Sequence, residues 1–326
     1  MDKVKVGFIG AGGIAAVHLE RLLKVPQARI VAICDVAEAR AKERAGVYKA
    51  AAYTDHHEML ERERLDAVWV CLPPFAHTDE ISLAAERSVH VFVEKPLALT
   101  LELARSMQAS VESAGVKSWV GYHMRQYASV RRAKALLQAE GGPIALFEGN
   151  WWGGIAGGPE HWWRRKELSG GQVVEQATHI YDLARFLAGE VREVYGRLDT
   201  LVHKDEPNYT VEDVATALLR FRSGALGIIT NTSAAQPGGG YVGAKLVAKN
   251  VQLTVEGPKV HVLRGQESIE LQATSDPYLD EDRKFIQSIL NDEPTEVPIR
   301  EGVKTLAVTL SVVKSAETGK TVKVPV

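Results

Sequence analysis

Three places in this chain combine side chains that could do chemistry. The first is Gly10-Ala-Gly12-Gly13-Ile-Ala15. Gly10 suits a tight turn, Gly12 lets a backbone approach a pyrophosphate, and Ala15 is small enough for close helix–strand packing. Gly13 and Ile14 open a helix whose free N–H groups would face the phosphates. Asp35, at the end of the next apolar run, sits where a carboxylate can accept bonds from a ribose diol. Its plain alternative is a solvated loop acid. A carboxylate there repels a 2′-phosphate, which favours NAD over NADP, although Arg40 and Arg44 stand nearby. The second place is Glu94-Lys95-Pro96, where a lysine could point a cation or proton donor into a crevice and the proline allows a cis bond. A solvated residue before a loop is the alternative. The third is Glu175, His179 and Asp182, spaced i, i+4 and i+7 so that one helical face carries all three. An imidazole flanked by carboxylates suits a general base; a paired structural histidine is the rival reading. The three residues have no recognised metal spacing, and no metal is expected.

These residues need a scaffold, and the surrounding pattern supplies one. Val4–Ile9 reads as a strand running into the glycine turn, Ile14–Leu23 as a helix, and Arg29–Cys34 as a second strand ending at Asp35. Alternation continues through Ala50–Tyr53, Thr54–Arg62, Asp66–Leu72 (ended by Pro73-Pro74), His77–Arg87, His90–Val93, Thr100–Ser113 and Lys117–Tyr122. This predicts an α/β dinucleotide-binding domain with a parallel sheet over residues 1–120. The rhythm then changes. Gln126–Glu140 and Gln172–Leu187 read as helices, and strands follow at Val191–Leu198, Val211–Phe221, Ala225–Thr232 and in pieces from Tyr241 to Leu271. Helices across Tyr278–Leu290 and Gly302–Lys314 close the chain. Residues 121–326 are therefore expected to form an α+β domain with a largely antiparallel open sheet. Its own helices can cover one face; packing of the other against a second copy, as a homodimer or homotetramer, is the natural solution.

The 326 residues are 45% hydrophobic and 25% charged, with a net charge of −2. That excludes disordered and collagen-like classes, and no basic stripe interleaved with aromatics suggests nucleic acid. The N-terminus reads as a strand rather than a signal segment, and no run approaches the roughly 20 apolar residues of a membrane span. A soluble cytoplasmic protein is expected. Cys34 and Cys71 lie in apolar runs and read as buried free thiols.

Together, GFIGAGGIA, CLPPFAH, VFVEKPLAL and GGQVVEQATHIYDLARFLAG resemble the Gfo/Idh/MocA oxidoreductase family. The resemblance runs over essentially the whole chain. It implies a Rossmann domain followed by a substrate-binding and oligomerisation domain. It also implies NAD(P)-dependent oxidation of a hydroxyl on a sugar, sugar acid or inositol-like polyol. By this likeness Gly10, Gly12, Ala15 and Asp35 bind the dinucleotide, Pro73, His77 and Glu94 line it, Lys95 holds the reacting hydroxyl, and His179 is the base. Tyr122 and Arg125 fall in the segment matching a substrate-lining motif, from which His123 and Gln126 depart. Glu175 stands where inositol-type relatives carry Asp, so its carboxylate reaches about 1.5 Å further. Trp151, Trp152, Trp162 and Trp163 could form a platform for sugar faces. Two rival activities fit the same likeness: redox-neutral, NAD-dependent glycoside cleavage, and a non-catalytic cofactor- or sugar-binding regulator.

Overall fold

A computed structural model describes residues 3–325. The chain divides into two compact units, one running from the N-terminal segment through His123 together with Asp276–Val303, the other holding Met124–Ser275 and the chain from Lys304 onward.

The first unit alternates as its sequence pattern requires: β1 (Val4–Ile9), α1 (Gly13–Leu22), β2 (Ala28–Cys34), α2 (Glu38–Tyr48), β3 (Ala51–Tyr53), α3 (His56–Arg62), β4 (Ala67–Val70), α4 (Glu80–Glu86), β5 (His90–Val93), α5 (Leu101–Ser113) and β6 (Ser118–Val120). All pairings are parallel, in the order β3-β2-β1-β4-β5-β6. That is the doubly wound order, whose crevice opens where the chain reverses direction between β1 and β4. Thr100 caps α5 by accepting the Leu103 N–H at 3.2 Å. The helix expected from His77 begins only at Glu80, because Pro74–Ala76 first forms a 3₁₀ turn.

In the second unit, α6 (Ala128–Glu140) leads into β7 (Ile144–Trp152), followed by α7 (Lys166–Ser169), α8 (Gln172–Glu175), α9 (Thr178–Ala188), β8 (Val191–Asp199), β9 (Val214–Phe221), β10 (Leu226–Thr232), β11 (Tyr241–Ala248), β12 (Gln252–Glu256), β13 (Lys259–Arg264) and β14 (Glu267–Gln272). With the terminal β15 (Val322–Lys323) they form one sheet in the order β14-β13-β12-β11-β7-β10-β9-β8-β15, antiparallel throughout except for β10 against β7. Its inner face, including Phe147, Ile229, Leu246 and Leu253, packs with Ile180, Leu183 and Leu187 of α9. The alternation in β7, β9 and β10 places Leu146, Leu218 and Leu226 on the other face, where Leu218 and Leu226 are 56% and 58% exposed.

Two expectations change. The helix expected over Gln172–Leu187 is broken at Gln176–Ala177: the Ala177 N–H bonds five residues back to Gln172, and the Ile180 N–H bonds only three back to Ala177. Glu175 and His179 therefore do not share one continuous helix. The segment expected to continue the second domain instead returns to the first unit as α10 (Pro277–Leu290), before α11 (Ile299–Thr318) carries the chain back. Phe285 of α10 packs at 5.3 Å on Trp69, which stacks at 5.3 Å on Phe92. All three are fully buried, each contributing about 2–3 kcal/mol through the hydrophobic effect.

Candidate active site

The residues expected to face a cofactor gather at the C-terminal ends of β1, β2, β4 and β5, since parallel strands deliver their following loops to the same sheet edge. Gly10 has φ +90°, and a Cβ there would run into the Cys71 carbonyl, so only glycine makes this turn beside the neighbouring strand. At Gly12 and Gly13 a Cβ would meet nothing within 4 Å. Gly12 caps α1 without a side-chain bond, and the first-turn N–H groups have no acceptor within the helix. The start of α1 is thus an open cradle of donors at the positive end of a helix dipole, which fits a dinucleotide pyrophosphate. Ile14 lies in that first turn, and Ala15 is fully buried against the sheet.

Asp35 is held rather than loose. Its Oδ2 accepts the Ala11 N–H at 2.9 Å, its Oδ1 the Ala37 N–H at 2.8 Å, and Arg40 reaches Oδ2 at 3.2 Å. The carboxylate is therefore tied to the glycine loop. After β4, Pro73 leads into the 3₁₀ turn. His77 is buried with Nδ1 2.6 Å from Glu80 Oε1. Burial alone would raise the Glu80 carboxyl; the His77 imidazole and the Thr78 N–H outweigh it and hold it below the usual range.

Lys95 follows β5 and is half-buried, with a cis peptide bond to Pro96. The preceding Glu94 is 4% exposed and is the end of a charged network that the sequence reading did not identify. His18 of α1 places Nε2 3.1 Å from Glu94 Oε1 and Nδ1 2.8 Å from Asp282 Oδ1 of α10. Trp69 Nε1–H donates to the same Asp282 oxygen at 2.9 Å, and Glu94 Oε2 accepts the Lys95 N–H at 3.1 Å. Burial opposes a charge on His18, but Asp282 and Glu94 outweigh it and raise its pKa well above the ordinary imidazole value, so both ring nitrogens donate. Burial pushes the neighbouring Glu281 carboxyl well above its usual value. A side chain at Gly121 would collide with the Glu94 carboxylate, which explains glycine there. His123 stacks on Tyr278 at 4.5 Å, and burial brings its pKa down to about 4. Tyr122 is buried at 1% exposure. His18 lies on an amphipathic helix and Asp282 some 260 residues later, so spacing carried no signal for this pair.

In the second unit His179 is 5% exposed and stacks on Trp151 at 5.5 Å with 19° between ring planes. Glu175 is half-buried and accepts the Trp163 Nε1–H at 2.6 Å. Asp182, read from spacing as a carboxylate neighbour of the base, is occupied elsewhere: Arg125 Nε and Nη2 bind its two oxygens at 2.7 Å each, and Thr305 Oγ1 donates at 3.0 Å. Arg125, expected to line the substrate, spends its guanidinium on this buried pair and on the Phe186 ring at 5.2 Å. Of the expected platform, Trp151 and Trp163 touch His179 and Glu175 respectively. Trp152 is 40% exposed on the sheet and donates to Thr230 Oγ1. Trp162 lies 5.4 Å from the His161 ring. Gln172 and Asn231, both buried, are joined at 2.8 Å just before Glu175. Both cysteines are free and buried, as expected.

Residues 4–122 match the model of the oxidoreductase family with an NAD-binding Rossmann fold, and residues 130–259 match the GFO/IDH/MocA C-terminal domain. The chain belongs to the Gfo/Idh/MocA oxidoreductase family. A myo-inositol 2-dehydrogenase of Thermotoga maritima is 32% identical, covering 98% of each chain. Among solved structures, a levoglucosan dehydrogenase in complex with NADH and levoglucosan superposes with a TM-score of 0.92 at 20% identity over 100% of each chain, a likeness of fold. The WlbA dehydrogenase from Bordetella pertussis, in complex with NADH and UDP-GlcNAcA, is similar at TM-score 0.86 and 25% identity, covering 99% of each chain. This Gfo/Idh/MocA member is thus an NAD(P)-binding oxidoreductase, with the NAD-binding Rossmann fold in its first unit. No helix among the described residues is long and apolar enough to cross a membrane.

Proposed function

We propose that this family member oxidises a secondary hydroxyl of a sugar, sugar acid or inositol-like cyclic polyol by hydride transfer, with NAD as the preferred acceptor. The observation that carries the reading is the cradle at Gly12–Gly13 beside a fixed Asp35, in a chain related over its length to a myo-inositol 2-dehydrogenase. Bound NAD⁺ supplies the hydride acceptor. The chain's own groups manage the proton and the charge. His179 takes the proton from the reacting hydroxyl as its carbon gives up hydride, and the Lys95 ammonium stabilises the developing alkoxide. Glu175 accepts a hydroxyl of the same substrate and holds its orientation, while the Trp151 face beside His179 suits the apolar side of a ring. The anchored Asp35 carboxylate accepts from the ribose diol and repels a 2′-phosphate. Two copies pair through the open sheet face bearing Leu146, Leu218 and Leu226.

The test is absorbance at 340 nm across inositols, aldoses and sugar acids with NAD⁺ and with NADP⁺, alongside His179→Ala. A signal confined to the wild-type protein supports the reading. Tight NADH binding with no reduction of either cofactor across the panel refutes a dehydrogenase acting on these substrates.

A further inference from the structure

Lys5 of β1 and Arg29 of β2 stand directly opposite one another in the parallel pairing, and both are exposed. Like charges side by side on neighbouring strands repel, so this pair works against the sheet that holds it. Three more cations join it. Lys49 follows α2, Arg62 ends α3, and Arg64 lies just before β4. With Glu63, the five cations line one open cavity of about 460 Å³. The acids beside it already hold donors: Glu63 Oε1 accepts the Tyr53 O–H at 2.7 Å, and Asp66 Oδ2 accepts the Lys5 backbone N–H at 2.7 Å. Arg62 reaches Glu58 at 3.0 Å. Among the described residues, Lys5, Arg29, Lys49 and Arg64 form no ion pair. The negative ends of α2 and α3 account for Lys49 and Arg62. They do not account for Lys5 and Arg29, which lie in strands. Lys49 also keeps φ +53°, a backbone region that favours glycine. A chain of net charge −2 thus gathers unpaired cations around one concavity.

We propose that this cavity binds a small oligophosphate, a free molecule bearing a diphosphate or triphosphate group, at the sheet edge opposite the glycine turn. The residues that line it precede or begin β1, β2, β3 and β4, whereas the glycine turn follows β1, so the two anion sites lie at opposite ends of the same strands. Charge number sets the ligand class. A multiply charged anion turns the Lys5–Arg29 repulsion into two attractions, which a single carboxylate does less well. Arginine forks match phosphate oxygens in pairs, and both arginines and lysines are present. The volume falls within the roughly 300–1,000 Å³ of small-molecule sites. Ile30 and Val31 are the only apolar residues in the lining, so recognition runs through charge. Because the cations are exposed, their attraction is screened by salt, and the affinity must fall as ionic strength rises.

The test is isothermal titration calorimetry with inorganic tripolyphosphate, run with excess NADH so that the cradle at the start of α1 is already filled. One equivalent should bind. The double variant Arg29→Gln with Arg64→Gln should weaken binding about tenfold or more, and raising salt from about 50 to about 500 mM should weaken it in the wild-type protein. Sulfate should bind about tenfold more weakly than tripolyphosphate. No binding, or the same affinity in the double variant, overturns the proposal. Equal affinity for sulfate marks an adventitious ion only and also overturns it. Binding seen only without NADH belongs to the cradle and overturns the assignment to this cavity. A second readout needs no ligand. Arg29→Gln relieves the repulsion with Lys5, so its urea midpoint at low salt should equal or exceed that of the wild-type protein. A clearly lower midpoint would show that Arg29 serves the fold, and would overturn the reading of these cations as a binding site.

Discussion

The His123 imidazole gives a measurable acid limb to the stability of the first unit. It is half-buried and stacked on Tyr278, and its pKa falls to about 4 because removal from water disfavours the charged ring. Glu94 and Asp276 work against that shift, and Lys95 and His18 reinforce it. In the unfolded chain the ring titrates near its ordinary value of about 6.5. A depressed folded pKa means that the stability is fully present above about 6.5 and is lost as pH falls toward 4. At pH 5 the unfolded ring is almost wholly protonated, while the folded ring is protonated to about one part in ten. Linkage then withdraws about 2 kcal/mol relative to pH 8. His18 behaves oppositely: its raised pKa gives stability that is full below about 6.5 and declines as pH rises through the folded value. The two must be separated by difference. His123→Phe preserves an aromatic ring on Tyr278 and removes the titration, so urea unfolding followed by tryptophan fluorescence should show a variant about 2 kcal/mol less sensitive to the change from pH 8 to pH 5. Parallel wild-type and variant curves across that range would refute the claim that His123 is held neutral in the folded protein.

Three further outcomes follow from the site and the sheet. Lys95→Ala and His179→Ala should each lower turnover about 10²–10⁴-fold with NADH affinity retained. The proposed function has both act on one hydroxyl and therefore expects their double variant to lose far less than the product; multiplicative losses in steady-state kinetics would separate the two roles. Asp35→Ser should raise the NADP⁺-to-NAD⁺ ratio of kcat/KM about tenfold or more, since it removes the charge that opposes a 2′-phosphate and leaves Arg40 in place. Leu218→Asp with Leu226→Asp should halve the mass seen by light scattering, and an unchanged mass would show that another surface joins the copies.

Much of the first unit is legible because its signals are local. The strand before Gly10, the positive φ that glycine meets there, the buried Ala15 and the acid ending β2 all depend on residues within a few positions of one another. Thr100 as a cap is legible for the same reason. The misreadings are non-local. Periodicity alone cannot distinguish one sixteen-residue helix from α8 and α9, because apolar spacing survives a single bulged turn at Gln176–Ala177. Asp182 lies at a suitable spacing from His179, yet Arg125 and Thr305 claim it through chain separations of 57 and 123 residues. Hydrophobic patterning identifies α10 as a helix but not the unit it joins; that is decided by Phe285 meeting Trp69 and by Asp282 meeting His18.

These non-local contacts have a common physical effect. Glu94 is held by the His18 imidazolium, Asp182 by the Arg125 fork and Glu175 by the Trp163 indole. In each case a carboxylate on or next to an expected functional segment is bound to a rigid, buried donor from elsewhere in the chain. Such a donor narrows the directions in which the carboxylate can point. Lys95 inherits this order through its N–H on Glu94, and α9, which carries His179, through the Asp182 clamp. The acids nearest the expected chemistry are thus set before any substrate arrives, as electrostatic stabilisation of a transition state requires: charge that must reorient during the reaction loses much of its effect to reorganisation.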